Sequence, residues 1–259
     1  MAQITLNPPR RALLLLEGRA VPELLGFAAA LPTLTALAPR GDGHPVIVLP
    51  GLTTSDRSTA SLRRFLKSKG YAVRGWNMGL NLGPRPGVED GLINLLRSTY
   101  EEEGRKVSLV GWSLGGIYAR QLAKMMPDMV RFVITLGSPF GGHPRATNAW
   151  RVYQMASGQN ADDTERHMGG AIALPPPVPT TAIYSKTDGI CAWQNCIEAR
   201  SPIAENIEVK GSHCGLGHLP SSVYAIADRL AQAEDAWQPF DRSGVRMAIY
   251  PRPEYPTIS

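Results

Sequence analysis

Short apolar runs rich in β-branched residues recur along the chain, and between them apolar positions return at three- and four-residue spacing. The runs predict strands at 45–49 (PVIVL), 71–76 (YAVRGW), 106–111 (KVSLVG), 130–136 (VRFVITL), 180–185 (TTAIYS) and 206–210 (NIEVK). Strands buried on both faces read as near-continuous apolar stretches, and these belong to that kind. The helical spacing predicts helices at 58–70, closed by Gly70, and at 88–104, where Leu92, Leu95 and Leu96 share a face. Two more are predicted at 114–126, ahead of Pro127, and at 221–237, opened by two serines able to cap it after Pro220. Strand and helix in alternation predict an α/β chain with a doubly wound, mostly parallel sheet and helices on both faces.

Two stretches leave the alternation. From Pro139 to Pro179 there is no strand pattern, and about 40 residues is too long for a routine connection. It is expected to form a small cap or lid of one or two helices, or else a long irregular insertion. From Pro239 to Ser259 the prolines at 251, 253 and 256 predict an extended tail packed along the domain or a partner. No internal repeat or low-complexity segment interrupts the remainder, so 1–259 reads as one domain.

With 43% hydrophobic and 19% charged residues the composition is globular and argues against disorder across the whole chain. The net charge of +5 is scattered. Its one dense group, Arg63, Arg64, Lys67 and Lys69, has helical spacing beside a Leu/Phe stripe, so it reads as a solvated helix face, and no nucleic-acid partner is expected. Cys191, Cys196 and Cys214 do not make a disulfide framework; a local Cys191–Cys196 bridge stands beside the reading of buried small hydrophobes. Near the N-terminus, the apolar run after Arg11 is broken by Glu17 and Arg19 and later by Pro22 and Pro32. That pattern is too short for a secretory signal, and stable membrane insertion is not expected. The segment is expected either as a helix lying on the domain or as an amphipathic membrane-surface anchor. A soluble, cytoplasmic protein follows as an expectation, with oligomeric state left open.

The sharpest chemical signal is GWSLGG, in which Gly111, Ser113 and Gly115 fit GxSxG between a predicted strand and a predicted helix. A turn that sharp strains the serine backbone and brings neighbouring chains close, so bulk is excluded two positions to either side. In this context GWSLGG resembles the nucleophile elbow of the α/β-hydrolase family, particularly its serine esterases and lipases, and the resemblance covers about 45–237. It implies the chain order nucleophile, acid, histidine. Asp188, after the strand at 180–185, fits the acid, although Asp-Gly is also a common turn pair. His213 follows the last strand and fits the base, with His218 as competitor; His44, His143 and His167 fall elsewhere, and Asp162 and Asp163 lie in the cap segment rather than at a strand end. The resemblance also implies an oxyanion hole from the amides of Leu114 and Leu52.

Trp112, Trp150, Tyr153 and Met155, with Leu52, would suit an acyl chain or aromatic group, although each fits core packing equally well. His213, Cys214 and His218 match no common zinc spacing, the glycine-rich stretches lack a phosphate-cradling lysine, and neither metal nor cofactor is expected. The implied activity is hydrolysis of a small-molecule carboxylic ester. Thioesterase, acyltransferase and polyester hydrolase activity remain alternatives on the same fold, as does lipase activity, and a non-catalytic binding protein is the alternative of another class.

Overall fold

The computed structural model describes residues 7–141, 146–158 and 172–256. Six strands form one sheet: β1 (Pro45–Leu49), β2 (Ala72–Arg74), β3 (Val107–Trp112), β4 (Val130–Leu136), β5 (Thr180–Tyr184) and β6 (Ala204–Glu208). Their spatial order is β2-β1-β3-β4-β5-β6, and every neighbouring pair is parallel. The helices that carry the chain between strands therefore cover both faces.

Alternate residues of each strand feed two cores. On one face Val46, Val48, Val110, Ile134 and Ile183 pack with α2 (Ala20–Leu37), α3 (Ala60–Ser68) and α7 (Pro220–Leu230). On the other, Ile47, Leu49, Leu109 and Val133 pack with α4 (Val88–Glu103) and α5 (Leu114–Met125). A buried ion pair joins Arg120 of α5 to Glu198, and the Arg120 guanidinium lies 3.7 Å from the centre of the Phe140 ring. Burial lowers the Arg120 pKa to about 9.

Several expected boundaries move. The strand expected at 71–76 shortens to Ala72–Arg74 because the Trp76 and Asn77 amides bond the Asp56 carboxylate instead of a ladder. The last strand begins at Ala204 rather than Asn206. Helix α7 starts on Pro220 without a serine cap and stops at Leu230, short of the expected 237.

The N-terminal prolines do not break the chain as expected. After α1 (Arg11–Leu15) and a 3-10 turn at Leu16–Arg19, α2 runs on through Pro32 to Leu37. The stretch Arg11–Leu37 is long and apolar enough, by length and composition, to cross a membrane; an 18-residue window of it has a mean hydropathy of 1.5 and is 11% buried. Phe27 and Leu34 face the core, while Leu15, Val21, Leu25 and Leu37 are exposed.

In the expected cap segment the described residues hold one helix, α6 (Trp150–Ser157). It is tethered where Arg85 donates through Nε to the Ala156 carbonyl at 3.0 Å. Residues 142–145 and 159–171, with His143, Asp162, Asp163 and His167, lie outside the described residues. The expected tail contains a short helix, α8 (Arg246–Ile249), and packs along the β5/β6 edge. There the Phe240 amide bonds Glu205, Arg242 bonds the Asn206 carbonyl, and the Glu254 amide bonds the Tyr184 hydroxyl.

Candidate active site

Ser113 stands between β3 and α5 with φ 52° and ψ −120°, a left-handed conformation that a side chain adopts only under constraint. Two contacts impose it. The Ser113 amide donates to the Leu136 carbonyl of β4 at 2.8 Å, and the helix starts directly above the strand it leaves. A Cβ at Gly111 would overlap the backbone of Gly115 and Gly116, and one at Gly115 would overlap the carbonyls of Leu49 and Pro50. Only glycine lets these three segments meet.

The loop after β1 closes over this turn. A Cβ on Gly51 would stand 3.3 Å from the Ser113 Cβ. Among the described residues, neither the Leu52 nor the Leu114 amide is taken up by a hydrogen bond, so both remain available as donors. The loop is held by fully buried Asn81, a residue that no sequence motif marks. Its Nδ2 donates to the Pro50 carbonyl at 2.8 Å, and its backbone exchanges bonds with Thr53 (2.6 Å) and Thr54 (2.8 Å).

Asp188 follows β5 and is 3% exposed. One carboxylate oxygen accepts the Ile190 and Cys191 amides at 2.8 and 2.7 Å, and the other lies 2.6 Å from His213 Nδ1. Asp188 is therefore both turn former and imidazole partner. His213 follows β6, and its Nδ1 is spent on Asp188. Burial opposes the charged imidazole, yet the Asp188 carboxylate and, after it, the buried Cys191 thiol beside the ring override it and hold the His213 pKa well above 6.5.

The pair sits beside the serine turn. A Cβ at Gly137, directly after β4, would come within 3.1 Å of both Asp188 Oδ2 and His213 Nδ1. Trp112, next to Ser113, donates through Nε1 to the His213 carbonyl at 3.0 Å. His218 is committed elsewhere: its Nε2 is 3.0 Å from the Ala20 carbonyl, and its ring packs edge-on against Trp112.

The expected pocket residues divide. Leu114, Leu52 and Tyr153 pack into one cluster with Met78 and Phe140. Trp112 does not join them; its side chain is buried in the opposite core, against the α2 and α7 face. Trp150 is half-buried beside Arg151, and Met155 is 86% exposed on the outer side of α6. The three cysteines carry free thiols, Cys191 and Cys196 buried and Cys214 exposed. Asp188, Cys191 and His213 each bring one donor atom within 4.8 Å of the others, but the Asp188–His213 bond already spends two of those donors on each other.

Comparison with known proteins agrees with this fold. A model of the alpha/beta hydrolase family matches residues 46–254. Among solved structures, Aspergillus fumigatus lipase B has a TM-score of 0.57 at 20% identity, over 75% of this chain and 54% of that one. The propeptide form of Bacillus licheniformis lipase BlEst2 gives 0.51 at 20% identity, over 79% and 54%. Paleococcus ferrophilus monoacylglycerol lipase gives 0.51 at 16%, over 75% and 96%. The chain spans about half the length of the first two, covering 54% of each, and these likenesses are of fold.

Proposed function

Because this chain belongs to the alpha/beta hydrolase family, we propose that it is a serine hydrolase that cleaves carboxylic esters through an acyl-enzyme on Ser113. The observation that carries the proposal is the 2.6 Å bond between Asp188 and His213, formed beside a serine held in a left-handed turn.

Ser113 Oγ attacks the ester carbonyl carbon while His213 Nε2 accepts its proton. Asp188 holds the imidazole by Nδ1 and stabilises the imidazolium. Negative charge moves onto the carbonyl oxygen, where the Leu114 and Leu52 amides receive it. As the tetrahedral intermediate collapses, the carbon–oxygen bond to the alcohol breaks and His213 returns the proton to the leaving oxygen. Water then attacks the acyl carbon, with His213 again as base, and Ser113 is released with the carboxylic acid. The apolar side of the ester lies against Leu52, Leu114 and Tyr153, which share one cluster. The substrate is a small-molecule ester, and the reaction as written calls on no metal or cofactor.

A fluorophosphonate probe tests this directly. Labelling of Ser113, abolished in Ser113→Ala, is the expected result, and a folded protein that does not label sinks the proposal. Against p-nitrophenyl esters, His213→Ala is expected to lose activity by at least about 1,000-fold. His218→Ala is expected to keep it, and the reverse outcome reassigns the base. A panel graded by acyl length and by ester, thioester and polyester linkage fixes the substrate class.

A further inference from the structure

The N-terminal segment faces inward with its only carboxylates. Glu17, in the 3-10 turn between α1 and α2, is buried at 9% exposure. Its Oε1 accepts the Gly189 amide at 2.7 Å and the His213 amide at 3.0 Å, and its Oε2 accepts the Cys214 amide at 2.9 Å. One carboxylate thus bridges the residue after Asp188 to His213 itself. Glu23, one turn into α2, accepts the Ser212 amide at 2.9 Å and also its hydroxyl. Arg19 pairs with Glu23 at 3.3 Å and donates to the Thr187 carbonyl and hydroxyl at 2.5 and 2.8 Å.

The two loops are shaped to receive this segment. A Cβ at Gly189 would overlap the backbone of Leu13 and Leu14, and one at Gly215 would overlap the Glu23 carboxylate. Both glycines sit within two residues of the acid or the histidine. Burying a carboxylate is costly unless charge-assisted bonds compensate it, and Glu17 meets that demand with three amides drawn from these two loops.

We infer that Glu17 is a positioning residue that sets the His213 imidazole against Asp188 by tying the backbones of their loops together. The inference rests on the serine-hydrolase reading, in which those two side chains work as one unit. A carboxylate suits this role because its two oxygens accept several amide hydrogens at once, so the loops share a common acceptor and move together. A misplacement of about 1 Å at such a pair can cost on the order of 100-fold in rate.

The test compares Glu17→Ala, Glu17→Gln and Glu17→Asp with wild type, using fluorophosphonate titration to count competent sites and p-nitrophenyl ester kinetics to obtain kcat per titrated site. Glu17→Ala is expected to lower kcat on the order of 10- to 100-fold with KM within about threefold. Glu17→Gln, whose oxygen still accepts from Gly189 and His213, is expected to recover part of that loss. Glu17→Asp, one methylene too short to span both loops, is expected to fall below Gln. A smaller titrated fraction with wild-type kcat per site would mean that Glu17 only supports folding, and it overturns the inference. If Glu17→Ala does not fold, wild-type kcat per site in both the Gln and Asp variants overturns it equally. A wild-type protein that never labels defeats the parent reading and this inference with it; a labelled wild type with unaffected variants defeats this inference alone.

Discussion

Gly137 shows how tightly Asp188, His213 and the carboxyl end of β4 are fitted. It has φ 54°, and a side chain there would press within 3.1 Å of both the Asp188 oxygen and the His213 nitrogen that bond each other. Gly137→Ala is therefore expected to lower kcat on ester substrates by about 100-fold although it removes no reactive group, and wild-type turnover would contradict that fit. Nothing in the sequence sets Gly137 apart from its neighbours, whereas the proposed triad of Ser113, Asp188 and His213 could be picked out because each pairs a reactive group with a strand end. Glu17 and Asn81 were not legible, because they act on backbone amides and carbonyls distant in sequence, and such bonds leave no residue pattern. Trp112 is buried in the core away from Leu52 and Tyr153, and the signal for that was present. It lies two positions after Val110, and period-two alternation puts both side chains on the same face, the one packed by α2 and α7.

Among elements, strands were read more accurately than helix ends. β1 and β4 lie where their apolar runs predict, since five and seven consecutive buried residues leave no ambiguity. Helix α7 ends early because periodicity marks an apolar face without saying where its partner stops, and α2 passes through Pro32 because packing of Phe27 and Leu34 outweighs one lost backbone bond. The loop from Gly51 to Thr54 is the element most open to test. Asn81 holds it from three sides, and the loop brings Gly51, next to Leu52, against the serine turn. Asn81→Ala is expected to cost about 1–3 kcal/mol of stability from the unpaired carbonyl, measured by urea unfolding. It is also expected to lower kcat about 10-fold or more while KM holds, through a displaced oxyanion donor. A drop in stability alone would remove Leu52 from the oxyanion hole.

For the whole molecule, two buried histidines tie stability to pH in opposite senses. His44 is fully buried, with Nδ1 2.5 Å from Asp42 and Nε2 2.8 Å from the Ser108 hydroxyl. Burial, aided by Arg131 and Arg105, outweighs Asp42 and lowers its pKa from 6.5 to about 4. Between those values the unfolded chain binds the proton and the folded one does not, so stability falls as pH drops from about 6.5 to about 4. His213 is shifted the other way. Its contribution is complete below 6.5 and is lost as pH rises through its raised folded value. Urea midpoints are thus expected to fall as pH drops from about 6.5 to about 4, and His44→Asn is expected to flatten that slope. An acid slope unchanged in that variant would show that His44 is not its source. The grip of Glu17 on Gly189 and Cys214, across 172 and 197 residues, also has a consequence during synthesis. The leucine-rich helix is made well before the loops that receive it. Until those loops are made, the face carrying Phe27 and Leu34 lacks its native cover, a long-range closure of the kind that slows folding.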